Sequence, residues 1–178
     1  MVIKKKKPAA LYVLIFLLFF QSISAIYGGF SMIMDPSGAL LKLERNFLEN
    51  TPFQSFFIPG LVLALILGVL PLLLIYPLLA EPHWRWTRKL NIYKNRYWAW
   101  SYSLYVGLGL NIWMDFQFVL LGRTSGLQIL YAVLGLLIVV FTLWPSVMKY
   151  YRRSRRKSIY DGDRSPEGKE QIKNDSEH

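Results

Sequence analysis

The chain has 178 residues, 53% of them apolar, with 21 Lys and Arg against 11 Asp and Glu and no Cys. Without cysteine there is no disulfide framework, thiol relay or thiolate metal site. The charges are segregated: residues 8–34, 54–80 and 124–148 carry none, and Asp115 is the one charged side chain between Tyr97 and Gly122. An apolar run of about 20 residues crosses a hydrocarbon core roughly 30 Å thick, so the pattern argues against a soluble enzyme, a DNA-binding domain and a secreted scaffold.

In chain order, Lys4–Lys7 precede a first apolar segment, Ala9–Met34. The basic start, the stretch Leu11–Phe20 and the small residues Ser22, Ser24 and Ala25 also imitate a secretory signal peptide. The charge-free run continues to Met34, longer than the roughly 7–15 residues of such a hydrophobic core, and so predicts a retained membrane helix. Asp35-Pro36-Ser37-Gly38 is a turn signal. After it, Leu40, Leu41, Phe47 and Leu48 share a helical face, with Glu44 among them and Lys42, Arg45 and Glu49 elsewhere. This predicts a short interfacial helix capping the bundle.

The second predicted span is Phe57–Leu79, with Pro59 near its start, where a missing N–H is harmless. Gly60, Ala64 and Gly68 recur every fourth residue, a small-residue stripe that admits close helix approach. In the second loop Trp84, Trp86, Tyr93, Tyr97, Trp98 and Trp100 interleave with basic residues, the pattern of an interfacial belt rather than a nucleic-acid surface. His83 lies in this loop and His178 ends the chain, which excludes an intramembrane bis-histidine haem site.

The third predicted span, Tyr97–Leu121, holds Ser103, Gly107, Asn111 and Asp115 at fourfold spacing. An acidic group inside a span is a functional-site candidate. Asp115 lies about six residues, or roughly 9 Å, from the end of this helix. Gln117, and Gln21 of the first span, fall toward the same outer mouth. The stripe therefore reads either as polar glue between helices or as a ligand pocket with Asn111, Asp115, Ser103, Gln117 and Gln21 as its candidates. The fourth predicted span is Leu127–Tyr150, with Pro71 and Pro145 expected to free the carbonyls of Leu67 and Phe141 in their spans.

Counting both termini and the second loop on one side, 18 of the 21 Lys and Arg fall together and three fall opposite. The positive-inside rule then places both termini in the cytoplasm of a multi-pass cell-membrane protein. Lys149, Arg152, Arg153, Arg155, Arg156 and Lys157 form a juxtamembrane cluster attracted to anionic lipid headgroups. They do not signal nucleic acid. Residues 151–178 have little to bury and read as a disordered cytoplasmic tail to the 1–150 membrane domain.

D-P-S-G-A-L-L (35–41), P-F (52–53), F-I-P-G-L (57–61), W-A-W-S (98–101), L-L-G (120–122) and L-Q-I-L-Y-A-V-L-G (127–135) resemble landmarks of an uncharacterised family of small four-span prokaryotic membrane proteins. The resemblance covers roughly Gly28 to Tyr150 and implies a four-helix integral membrane protein with no known substrate or cofactor. L-Y-V-G-L-G-L-N-I-W (104–113) is loosely similar to one span of the tryptophan-rich sensory proteins, but a one-residue gap is needed and a fifth span is missing.

The fold expected is thus all-α: a transmembrane four-helix bundle with a short outer helix and a basic tail. No catalytic residue, metal or cofactor is indicated. The reading is a non-catalytic interaction or assembly bundle that meets a membrane-protein partner or its own copy. The alternative is a small-ligand or lipid binding or transport protein with an outer-facing polar pocket at Asn111 and Asp115. A membrane enzyme acting on a lipid or polyprenyl substrate ranks below both.

Overall fold

The charge-free stretches fold as helices, one of them broken in two, and prolines stand where two of the stretches change geometry. A computed structural model describes residues 6–41, 43, 48, 51–82, 96–121 and 126–152. Among the described residues there are five helices and no strand: α1 (Ala9–Met34), α2 (Phe57–Ala80), α3 (Trp98–Leu121), α4 (Gly126–Thr142) and α5 (Pro145–Tyr150). The described residues are therefore all-α. By length and composition α1 and α2, of 26 and 24 residues, can cross a bilayer. α3 has 24 residues and includes Asn111, Asp115 and Gln117, while α4 is apolar but only 17 residues long.

α1 packs against α2 and α4, and α3 against α4 and the second half of α2, so α1 and α3 lie on one diagonal and α2 and α4 on the other. Leu11, Leu14, Leu18, Leu78, Leu110 and Ile138 are fully buried between them.

The closest backbone-to-backbone approach is between α1 and α2. A Cβ added at Gly29 would lie 2.6 Å from both the Ala64 nitrogen and the Gly60 oxygen, so the two backbones touch there. One added at Gly60 would lie 2.6 Å from Met32 Cβ, and one at Gly68 2.7 Å from Ile26 Cγ1. All three members of the Gly60–Ala64–Gly68 stripe thus pack on α1 of the same chain. In an ordinary α-helix a fourfold stripe drifts about 40° per step. Here Leu63–Val69 is π-helical, with Leu70 N–H donating to Leu65 O. The wider turn places more residues per revolution and holds the stripe along α1. Pro71, which has no N–H, follows at once and returns the chain to α-helix.

The expected continuous helix over Leu127–Tyr150 is broken. α4 ends at Thr142 and α5 opens at Pro145. Trp144 takes φ −58°, ψ 132°, the extended conformation that a following proline imposes. Rather than freeing the Phe141 carbonyl, the break lets Trp144 N–H reach it at 3.3 Å, and the indole Nε1 of Trp100 donates to Thr142 O at 2.7 Å. Trp100 is buried for this purpose and does not belong to an interfacial belt. Of the expected outer helix, Ala39–Leu41 is a single 3-10 turn. Lys42, Glu44, Arg45, Phe47 and Glu49 lie outside the described residues, as do His83, Trp84, Trp86, Tyr93 and the tail from Arg153 onward.

The packing predicts a sharp contrast between neighbouring glycines. Gly29→Ala should lower stability in detergent by about 1–3 kcal/mol, the usual result of overpacking. Gly28→Ala, whose Cβ would meet only Leu63 Cδ2 at 3.5 Å, should be close to neutral. Thermal unfolding of the two variants, followed by circular dichroism, checks the contrast.

Candidate functional site

The fourfold stripe on α3 begins inside the bundle and leaves it. Ser103 is buried and its hydroxyl donates to Ala99 O at 2.9 Å. Gly107 is buried against α4, where an added Cβ would lie 2.8 Å from Val139 Cγ2 and 3.1 Å from Gly135 O. Asn111 is half-buried and donates through Nδ2 to Gly107 O at 2.8 Å. Its amide covers Gly135 so closely that a Cβ there would fall 2.5 Å from Nδ2. Asp115 is exposed. The cause is the same drift of about 40° per fourfold step, which turns the stripe by roughly 120° between Ser103 and Asp115.

The five candidate pocket residues are therefore not gathered at one place. Ser103 and Gln117 are about 21 Å apart along the axis of α3. Gln21 is on α1, across the diagonal, 1% exposed, and its Oε1 has no hydrogen-bond partner among the described residues. The other buried hydroxyls of Ser22, Ser31 and Thr142 donate to carbonyls one turn back in their own helices, as helical serines and threonines commonly do. Among the described residues no three His, Asp or Glu side chains are grouped as a metal ion needs.

The densest polar constellation lies at one end of the bundle, where the start of α1, the end of α2, the start of α3 and the end of α5 meet. Lys7 Nζ donates to Leu79 O at 2.7 Å, and Tyr151 OH donates to Leu78 O at 2.6 Å, so the last carbonyls of α2 are capped. Glu81 follows in the left-handed region, φ 49°, ψ 46°, uncommon for a residue with a Cβ. Its N–H donates to Pro77 O at 3.0 Å and its carboxylate accepts Tyr150 OH at 2.5 Å. Tyr97 OH donates to Pro82 O at 3.1 Å, and the Tyr97 ring stacks on Tyr151 with centroids 5.8 Å apart. Arg96 Nη1 donates to Met148 O at 2.9 Å while the guanidinium lies 4.5 Å from the centre of the Trp100 ring. Burial, reinforced by Glu81 and Tyr150, pushes the Tyr151 phenol well up, so it acts as a lasting donor. Sequence periodicity does not reveal this end. Its one signal is that Glu81 is the first charge after a long apolar run, with two adjacent tyrosines at the last one.

The opposite end is closed by the Asp35-Pro36-Ser37-Gly38 turn. Asp35 Oδ1 accepts Ser37 Oγ at 2.6 Å and Ser37 N–H at 3.1 Å, and Oδ2 accepts Leu40 N–H at 2.7 Å. Gly38, at φ 81°, lets the Phe56 ring cover the turn, since a Cβ would lie 2.7 Å from Phe56 Cε2. Both carboxylate oxygens are thus committed to the backbone and to Ser37.

No protein-family model matches the chain, and neither a curated protein nor a solved structure matches it.

The turn carries a pH prediction. The Ser37 hydroxyl, followed by the Leu40 amide, holds the Asp35 carboxyl below its ordinary value of 3.8. A depressed folded pKa means that the stabilisation is complete above pH 3.8 and is lost as pH falls through the lower folded value. Amide exchange at Ser37 and Leu40 should accelerate on acidification below that point, and Asp35→Asn should remove the pH dependence.

Proposed function

We propose that this chain is a four-span cell-membrane protein with both termini cytoplasmic, acting by contact with another membrane protein rather than by catalysis. The apolar side chains that point outward, among them Phe16 and Tyr27 of α1, Leu73 of α2 and Leu136 of α4, give the waist of the bundle a surface suited to lipid. Polar groups are concentrated at the ends. The buried face of α1, from Leu11 to Ser31, supports a first segment that stays in the fold rather than being cleaved. The gathering of Lys7, Arg96, Lys149 and Arg152 at one end agrees with the charge asymmetry of the loops.

The observation that carries the contact reading is Asp115. It is exposed on α3 between Leu108, Ile112 and Val119, which are also exposed, and the spacing 108, 112, 115, 119 is that of a helix-packing seam. A carboxylate facing lipid costs a few kcal/mol on insertion scales. A partner helix with Lys or Arg at the same depth removes that cost. A symmetric pairing of two copies through this seam would set Asp115 against Asp115, which disfavours self-association. The Gly60–Ala64–Gly68 stripe is filled by α1, so the outer partner meets α3 instead. The ligand-pocket alternative has less in its favour, because the Asn111 amide is used in packing α3 on α4.

Two measurements test this reading. The chain has no cysteine, so single cysteines at Ser37 and Ser154 report topology cleanly. An impermeant maleimide should label the first in intact cells and the second only after permeabilisation, and the reverse order would overturn the orientation. A photo-crosslinking side chain at Ile112 should give an adduct of discrete mass in cells, reduced several-fold by Asp115→Leu. An adduct indifferent to Asp115, or none, would count against the contact role.

A further inference from the structure

We infer that the exposed seam of α3 receives one transmembrane helix of another protein, and that this helix carries a bulky apolar side chain seven residues from a Lys or Arg. The inference deepens the contact reading above and rests on it.

Continued toward the start of α3 by Tyr105, the seam reads 105, 108, 112, 115, 119, in alternating steps of three and four. A facing helix presents knobs to such a seam, and each knob enters a hole outlined by four residues at i, i+3, i+4 and i+7. At the Leu108 layer the hole is outlined by Tyr105, Leu108, Gly109 and Ile112. Leu108 and Ile112 are exposed, and Tyr105 is half-buried with its ring against that of Tyr102, centroids 5.8 Å apart. Gly109 leaves this hole open on one side, since a Cβ there would meet nothing within 4 Å. By contrast, a Cβ at Gly107, on the face of α3 that meets α4, would find Val139 Cγ2 at 2.8 Å.

Seven residues along, Asp115 takes the place of Leu108 and Phe116 that of Gly109. Both are exposed, and Asp115 has no hydrogen bond or ion pair among the described residues. The second hole is thus narrower than the first and carries a negative charge.

The two holes accept different knobs. A large apolar side chain fills the space beside Gly109, and between helices in lipid such packing is what supplies attraction. A Lys or Arg meets Asp115 and lays its apolar stem along the neighbouring side chains. Knobs that enter equivalent holes are seven residues apart, about 10.5 Å along the axis. Charge complementarity selects a helix over acyl chains here. Lipid covers the charge-free outer face of α1 without cost, but it offers Asp115 no counter-charge at this depth.

The test mixes the full chain with synthetic leucine–alanine transmembrane peptides in phosphatidylcholine vesicles and reads energy transfer to a dye on Ser154→Cys. The first peptide has Phe seven residues to each side of an Arg, which serves either orientation. The second has Phe five residues to each side, which the helical period turns to the other face. The third is the first with Leu in place of Arg. The first should bind about fivefold more tightly than the second, the cost of an unfilled hole, and about tenfold or more tightly than the third. Gly109→Leu, at an open position that circular dichroism should show to be folded, should abolish the preference for the first peptide over the second and keep the dependence on Arg.

Equal binding of the first and second peptides, or a preference that survives Gly109→Leu, would overturn the inference and leave the contact reading standing. Equal binding of the first and third would overturn the role of Asp115 and the contact reading with it. Stronger transfer between two labelled copies of the full chain than to the first peptide would assign the seam to self-association and overturn both.

Discussion

The backbone of α1 rests on the backbone of α2, and the rest of the bundle is arranged around that contact. Gly29 sits where even one methyl group would strike Ala64 N and Gly60 O, at 2.6 Å each. Such approach is how helices associate where lipid is as apolar as the side chains, because packing and not water exclusion then supplies the attraction. The π-helical turn at Leu63–Val69 lies within this contact, where its wider turn offsets the drift that a fourfold stripe has in an ordinary α-helix. The pair α3 and α4 repeats the device with Gly107 and Gly135, and there the Asn111 amide fills the space that two glycines leave. With the small residues turned inward, large apolar side chains are turned out.

The two ends of the bundle solve a different problem, the unpaired groups that every helix terminus leaves. At one end, side chains from Lys7 and Tyr151 cap the last carbonyls of α2, while Arg96 takes Met148 O at the end of α5. These contacts run between segments more than 50 residues apart, so they fasten the N-terminus, the second loop and the tail to one another. At the other end Asp35 satisfies amides of its own turn, a purely local solution. The local end is closed by hydrogen bonds between one side chain and its own turn. The other end is held by contacts between segments distant in sequence.

Much of the architecture was legible in the sequence because it is written in charge and in residue size. Charge-free stretches mark the helices, and Gly60, Ala64 and Gly68 mark a close contact. Periodicity does not say which neighbour uses it, and the answer, α1 of the same chain, came only from the fold. In sequence, Pro145 reads as a perturbation inside one helix. It breaks the helix instead, because the backbone restriction extends to Trp144 and because Trp100 is available to take the Thr142 carbonyl. The polar stripe on α3 shows the same limit of periodicity: four residues at fourfold spacing look collinear in sequence, yet the helical drift leaves Asp115 exposed where Ser103 is buried. The tyrosine and Glu81 contacts were not legible, since their partners are distant in sequence and share no period.

The central claim is that α1 and α2 touch through their glycines, and paired cysteines test it most directly. A Cβ at Gly68 would meet Ile26 Cγ1 at 2.7 Å and the Ile26 backbone nitrogen at 3.1 Å, so Ile26→Cys relieves the side-chain clash, a small backbone shift accommodates the rest, and Gly68→Cys supplies the partner. Cysteine Cβ atoms about 3.5–4.5 Å apart form a disulfide readily. The account predicts rapid oxidative closure of the 26–68 pair in native membranes, with a control pair at 23 and 68, where Ile23 points outward, staying open. A 26–68 pair that stays reduced, or a control that closes equally fast, would contradict it.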